Sequence, residues 1–215
     1  MLRYILFDLD NTLYPRESGL WEAIGRRINR YMIERLGIDP HKVGELRREY
    51  LRDFGTTLNA LRHYHTVNTD DFLVFVHDLP LEKYLARRAD LDGMLERLPL
   101  DKVIFSNADE PHVRRVLAQL GISRHFSQII HIHALGFINK PDLRAYHKAL
   151  SFISARAQEC LFVDDSAVNL LPARELGMVT VLIGDEAMTD GIDHHIGEIT
   201  DLEGVLAQLL SKIEK

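Results

Sequence analysis

Asp8 and Asp10, two carboxylates one residue apart, close the apolar run Leu2-Arg3-Tyr4-Ile5-Leu6-Phe7. Brought close, two like charges raise one another's pKa unless a cation or a proton lies between them, so the pair points to a metal site, a shared proton, or both. An Asx-type turn at Asp10-Asn11-Thr12 is the plainer reading of the same residues. A second acidic pair, Asp164-Asp165, ends Cys160-Leu161-Phe162-Val163, while Ser106-Asn107 ends Val103-Ile104-Phe105 and Lys140-Pro141 precedes a helical stretch. These residues offer acids for proton transfer or metal ligation, and hydroxyl, amide and ammonium donors for an anion.

Groups so far apart in sequence need elements that carry them to one edge. Apolar, β-prone runs predict strands near 2–8, 102–106, 128–133, 160–164 and 178–183, most of them followed by a helical pattern. That alternation marks a doubly wound parallel sheet, whose sites lie at the carboxyl edge. Gly121 and Gly177 stand where left-handed backbone ends a helix. From 16 to 98 the pattern is helix after helix. Leu20, Trp21, Ile24, Ile28, Tyr31 and Met32 recur at helical spacing and stop at Gly37. Asp39-Pro40 then opens a stripe of Val43, Leu46, Tyr50 and Phe54 that ends at Gly55. Shorter helices are predicted over 57–65 and 70–78, with a return helix over 91–98. The expectation is an α/β core of residues 1–15 and 99–215 carrying an all-helical cap, 16–98, between its first two strands. Residues 185–195 read as a loop and 202–213 as a final amphipathic helix.

Composition narrows the partners. The chain has 215 residues and a net charge of −6, from 26 Lys+Arg against 32 Asp+Glu. That balance argues against a nucleic-acid polymer or an acidic membrane as partner and leaves small anions open. The single cysteine, Cys160, lies within an apolar strand, which makes it a core residue rather than a nucleophile and fits a reducing compartment. With no apolar run approaching about 18 residues, the expected location is the cytoplasm. His131-Ile132-His133, His63-Tyr64-His65 and His194-His195 invite a zinc reading, but no convincing third and fourth ligands accompany them.

Asp8-Leu9-Asp10-Asn11-Thr12, Ser106-Asn107, Lys140-Pro141 and Asp164-Asp165-Ser166 resemble, in order, the four motifs of the haloacid dehalogenase superfamily of phosphohydrolases. The resemblance implies a Rossmann-like core and hydrolysis of a phosphate monoester, with Asp8 as nucleophile and Asp10 as general acid and then base. It implies Mg²⁺ as cofactor, held by Asp8, the backbone carbonyl of Asp10 and the pair Asp164-Asp165, Asp165 directly and Asp164 through water. Ser106, Asn107 and Lys140 would bind the phosphoryl group, and Thr12 would order the loop after the nucleophile. One departure is His133-Ala134-Leu135-Gly136, which lies where an acid often precedes the lysine motif.

Asp8 through Pro15, with Ser18-Gly19-Leu20, is similar to the pyrimidine 5′-nucleotidase branch, as are Ser106-Asn107-Ala108-Asp109 with His112 and Asp164 through Asn169. The implied substrate is a small phosphorylated metabolite, a nucleoside 5′-monophosphate with pyrimidine favoured. Tyr50, Gly55, Thr56 and Thr57 are candidate substrate contacts, because a glycine break beside hydroxyls lets a ligand approach closely; helix capping explains the same residues. Sugar-phosphate or phosphoglycolate phosphatases and phosphomutases are alternatives within the superfamily. A haloacid dehalogenase would need neither Asp10 nor the magnesium pair. A phosphate-binding regulatory module is the more distant alternative, but receiver domains place the acidic pair before the phosphoacceptor, the reverse of the order here.

Overall fold

The computed structural model describes residues 1–184 and 190–211. The chain forms two compact units, Met1–Pro15 with Leu85–Lys215, and Arg16–Tyr84. Strand β1, Tyr4–Phe7, opens the first. The second is helical among its described elements: α1 (Leu20–Glu34), α2 (Pro40–Phe54), α3 (Thr57–Tyr64) and α4 (Thr69–His77). The first unit then continues through α5 (Ala89–Arg97), β2 (Asp101–Phe105), α6 (Glu110–Leu120), β3 (Phe126–Ile130), α7 (Leu143–Phe152), β4 (Cys160–Asp164), α8 (Ala167–Glu175), β5 (Val179–Ile183), β6 (His194–Ile196) and α9 (Leu202–Ser211).

The strands form one sheet in the order β3-β2-β1-β4-β5-β6, parallel at every pairing. The chain winds outward from β1 to β3, crosses back, and winds the other way from β4 to β6. The reversal of direction lies between β1 and β4, and a doubly wound sheet leaves a crevice at the carboxyl ends beside such a reversal. Apolar side chains of β1, β2 and β4 fill the core, where Leu6, Val103, Phe105 and Phe162 pack with Tyr146 and Ala149 of α7 and Leu170 and Ala173 of α8. Tyr146 meets Phe105 edge to face at 5.3 Å and donates its hydroxyl hydrogen to the Asn169 carbonyl at 2.6 Å, so the one polar atom this large ring carries inward is satisfied.

Within the helical unit, Asp39 caps α2 by accepting from the His41 N–H at 2.9 Å, and Pro40 follows in the first turn. Tyr31 of α1 meets Phe72 and Phe75 of α4 edge to face. Arg27 donates to the Phe75 carbonyl, with its guanidinium carbon 4.3 Å from the Phe75 ring centroid. No described helix is long and apolar enough to cross a membrane.

Three sequence expectations differ from the structure. The return helix α5 groups with the sheet, so the helical unit ends at Tyr84 rather than at 98. β3 stops at Ile130, short of 133, because residues 132–137 close a turn in which Gly136 and Phe137 take positive φ and the Phe137 N–H bonds the Ile132 carbonyl. His194 and His195, expected within a loop, form with Ile196 a short edge strand on β5. Of the expected loop, 185–189 lie outside the described residues, as do 212 and 213 of the expected final helix.

Candidate active site

β1 and β4 are hydrogen-bonded neighbours, with Phe7 level with Val163. Asp8 and Asp164 follow directly, so the register alone puts their carboxylates side by side. Lys140 joins them across the sheet edge. Its Nζ donates to Asp8 Oδ1 at 2.8 Å and to Asp164 Oδ2 at 2.7 Å, and its side chain is 1% exposed. The ammonium also lies 5.2 Å from the Phe105 ring centroid and 5.0 Å from that of Phe162. A cation so placed is held by opposite charge and by the negative faces of two rings.

Burial pushes the Asp8 carboxyl well above the usual carboxylate range; Lys140 draws it back, while Asp164, Asp165 and Asp10 push it further up. Burial alone would lower the Lys140 pKa, but the charges of Asp164 and Asp8 outweigh it and hold the ammonium above its ordinary value. The lysine is therefore charged, and the acids around it outnumber it. Oxygens of Asp8, Asp164 and Asp165 come within 4.8 Å of one another, the one such cluster among the described residues. An all-carboxylate set with excess negative charge suits a hard cation such as Mg²⁺.

Local structure fixes each acid. Leu13 N–H bonds the Leu9 carbonyl at 3.0 Å, turning the chain once after β1, and Asn11 takes φ 60° within that turn. Thr12 Oγ1 stands 3.5 Å from Asp8 Oδ2, the outer limit of a hydrogen bond. Asn11 donates to Asp165 Oδ2 at 3.3 Å, which ties the first loop to the second acidic pair. Asp164 accepts from Ser166 N–H at 2.9 Å and from Asn169 Nδ2 at 3.0 and 3.1 Å. With Lys140, these donors surround its carboxylate.

Ser106 is buried at the end of β2, and its Oγ accepts from Ala108 N–H at 3.0 Å. That leaves the hydroxyl hydrogen as a donor. Asn107 grips the backbone of Lys140 at both ends, accepting from its N–H at 2.9 Å and donating to its carbonyl at 3.1 Å. The Lys140–Pro141 peptide is cis. Thus the sequence-predicted Asp164 ends β4, while Asp8, Asp10, Ser106, Asn107, Lys140 and Asp165 stand on loops leaving β1, β2 and β4 or on the loop that Asn107 clamps.

The candidate substrate residues belong to the helical unit. Gly55 ends α2 at φ 72°, and Thr56 caps α3 by accepting from Asn59 N–H at 3.2 Å. Tyr50 stacks on Tyr64 with centroids 5.7 Å apart, and its hydroxyl is 3.4 Å from His65 Nε2. Thr57 is buried and its Oγ1 has no hydrogen-bond partner. Capping therefore accounts for Gly55 and Thr56.

Two residues outside the expected set touch Asp10. Tyr14 donates to Asp10 Oδ1 at 2.5 Å, and His112 Nε2 lies 3.0 Å from the same oxygen. The first had a signal in the sequence, since residues four apart in a helical turn share a face. The second stood in the sequence as part of the likeness of Ser106-Asn107-Ala108-Asp109 with His112 to the nucleotidase branch, with nothing to tell that it meets Asp10. Cys160 is confirmed as a core residue: burial pushes its thiol up to about 12.

A profile of haloacid dehalogenase-like hydrolases matches residues 2–177, and the chain belongs to that family. It is 28% identical over 198 residues to phosphate metabolism protein 8 of Saccharomyces cerevisiae, covering 84% of this chain and 61% of the yeast protein. It is 25% identical to the glyceraldehyde 3-phosphate phosphatase of Methanocaldococcus jannaschii, over 85% of each chain. With the GMP/IMP nucleotidase of Escherichia coli it shares 23% identity over 81% of this chain and 79% of that one. In fold it is similar to a HAD phosphatase from Thermococcus onnurineus, with a TM-score of 0.67 at 18% identity, covering 95% of this chain and 98% of that one.

Proposed function

We propose that this protein is a Mg²⁺-dependent phosphomonoester hydrolase that works through an aspartyl-phosphate on Asp8. The observation that carries the reading is the placement of Lys140 between Asp8 and Asp164, with Asp165 beside them. In the first step an Asp8 carboxylate oxygen bonds to phosphorus, the bond from phosphorus to the ester oxygen breaks, and that oxygen takes a proton from Asp10. In the second, water gives a proton to Asp10 as its oxygen bonds to phosphorus, and the bond to Asp8 breaks to release phosphate. Lys140 and the Ser106 hydroxyl donate to the phosphoryl oxygens, and Asn107 holds the Lys140 backbone in place for that task. Mg²⁺, when bound, would be held by Asp8, Asp165 and the Asp10 backbone carbonyl, with Asp164 reached through water, and would offset phosphoryl charge.

The test is hydrolysis of p-nitrophenyl phosphate with Mg²⁺ and after EDTA. EDTA abolishes turnover, and Asp8→Asn, which keeps the size of the nucleophile, loses about 10³-fold or more in kcat. Full activity in that variant removes Asp8 from the mechanism.

The proposed substrate is a nucleoside 5′-monophosphate, UMP or CMP ahead of AMP or GMP. The likeness of Asp8 through Pro15 to pyrimidine 5′-nucleotidases supports the pyrimidine, whereas the relative named as a GMP/IMP nucleotidase supports a nucleotide but with a purine base. A triose phosphate is the second reading, favoured by the relative named as a glyceraldehyde 3-phosphate phosphatase, which this chain matches over most of its length. A kcat/KM series over these esters separates the two. Higher values for triose phosphate or phosphoglycolate overturn the nucleotide reading and leave the phosphatase reading intact.

A further inference from the structure

Tyr14 and His112 are each only 1% exposed, yet both direct a polar atom at a single oxygen of one carboxylate. The Tyr14 hydroxyl is 2.5 Å, and His112 Nε2 3.0 Å, from Asp10 Oδ1. They approach from different parts of the chain. Tyr14 sits on the turn that carries Asp10 itself, whereas His112 belongs to the first turn of α6, beyond the second motif. The tyrosine hydroxyl donates to the aspartate oxygen, and His112 Nε2 donates to it in the tautomer that carries its hydrogen there.

Resting on the phosphatase reading above, we infer that Tyr14 and His112 are positioning residues that hold Asp10 Oδ1 from two sides and so fix the orientation in which the Asp10 carboxyl exchanges a proton with the leaving group. The physical reason is geometric: partners from two elements fix the rotation of the carboxyl plane, because turning it would break both bonds in a buried site. A general acid works only within hydrogen-bond reach of the atom it protonates, which makes that orientation part of the first step. The bonds that change are those already described: Asp8 oxygen to phosphorus forms, phosphorus to ester oxygen breaks, and the Asp10 proton passes to the ester oxygen.

The experiment compares phenyl phosphate, a poor leaving group, with p-nitrophenyl phosphate, which needs little protonation to depart. kcat/KM covers steps up to the first irreversible one, here formation of the aspartyl-phosphate. Tyr14→Phe keeps the buried ring and removes only the donor, His112→Leu removes the imidazole, and His112→Gln returns an N–H near Nε2. Tyr14→Phe and His112→Leu are expected to lose about tenfold or more on phenyl phosphate and less than about threefold on p-nitrophenyl phosphate, with KM little moved. His112→Gln recovers part of the phenyl phosphate rate. Equal losses on both esters, or no loss on either, overturn the inference, and so does a Tyr14→Phe protein that melts well below the parent and loses both activities alike. Asp8→Asn, assayed alongside, keeps the two readings apart: if it abolishes both activities while Tyr14→Phe shows no leaving-group dependence, the phosphatase reading stands and this inference falls.

Discussion

Asp164 and Lys140 meet at 2.7 Å in a place where the carboxylate is fully buried and the lysine almost so. The same ammonium serves Asp8 at 2.8 Å. One cation thus offsets two acids, Asp164 fully buried and Asp8 with 11% of its side chain exposed.

Lys140→Ala is therefore expected to destabilise the metal-free protein. Removing one partner from a buried ion pair costs roughly 3–5 kcal/mol, which for a chain of this size lowers Tm by roughly 6–20 °C. Mg²⁺ restores part of the loss by returning positive charge to the acids. Thermal melts of parent and variant with EDTA and with Mg²⁺ check this, and a variant as stable as the parent in EDTA refutes it.

Asn169 donates to both oxygens of Asp164, while its own carbonyl accepts from Tyr146. Asn169→Ala frees the Asp164 carboxylate to rotate. Partners that orient metal-binding acids are typically worth 10–100-fold in metal affinity or activity, so the Mg²⁺ concentration for half-maximal activity rises about tenfold or more. Titrating activity with Mg²⁺ measures it. An unchanged midpoint makes Asn169 a packing residue.

Asp193 links β5 to the approach to β6. It accepts from Thr180 N–H at 3.0 Å, Thr180 Oγ1 at 2.9 Å and Arg174 Nε at 2.9 Å. Burial pushes its pKa up, but the Arg174 guanidinium and the Thr180 donors outweigh that and hold it below the ordinary value of 3.8. An acid whose native pKa is depressed binds fewer protons folded than unfolded, so its contribution is present above 3.8 and is lost as pH falls through the native value. Asp193→Asn should lower Tm at pH 7 and approach the parent in strong acid. A gap that stays constant from neutral pH to acid counts against the carboxylate.

The strands that carry the chemistry were legible because each is an apolar run ending in a polar pair, and β1, β2 and β4 form where those runs lie. β6 was not legible. His194-His195-Ile196 has no apolar alternation, and it is held by register on β5 and by His195 Nε2 2.7 Å from the Gly184 carbonyl, both long-range facts. α5 shows the same limit, since its helical pattern was plain but nothing local told which unit it joins. At the site, the acids announced themselves by type and spacing. Tyr14 and His112 meet Asp10 only once the turn after β1 and the start of α6 are folded, so the sequence held their identity and not their convergence.

Tyr4 pairs with Asp101 on one side of β1 and with Cys160 on the other. During synthesis this strand emerges well before both of its partners. A nascent chain halted before Cys160 therefore carries an apolar strand with an open edge, the condition that invites aggregation or chaperone capture. Contacts this distant along the chain also slow closure of the sheet. Assembly of the nucleophile's surroundings consequently waits on distant sequence: Asp8 cannot meet Asp164 until the chain has been made through β4.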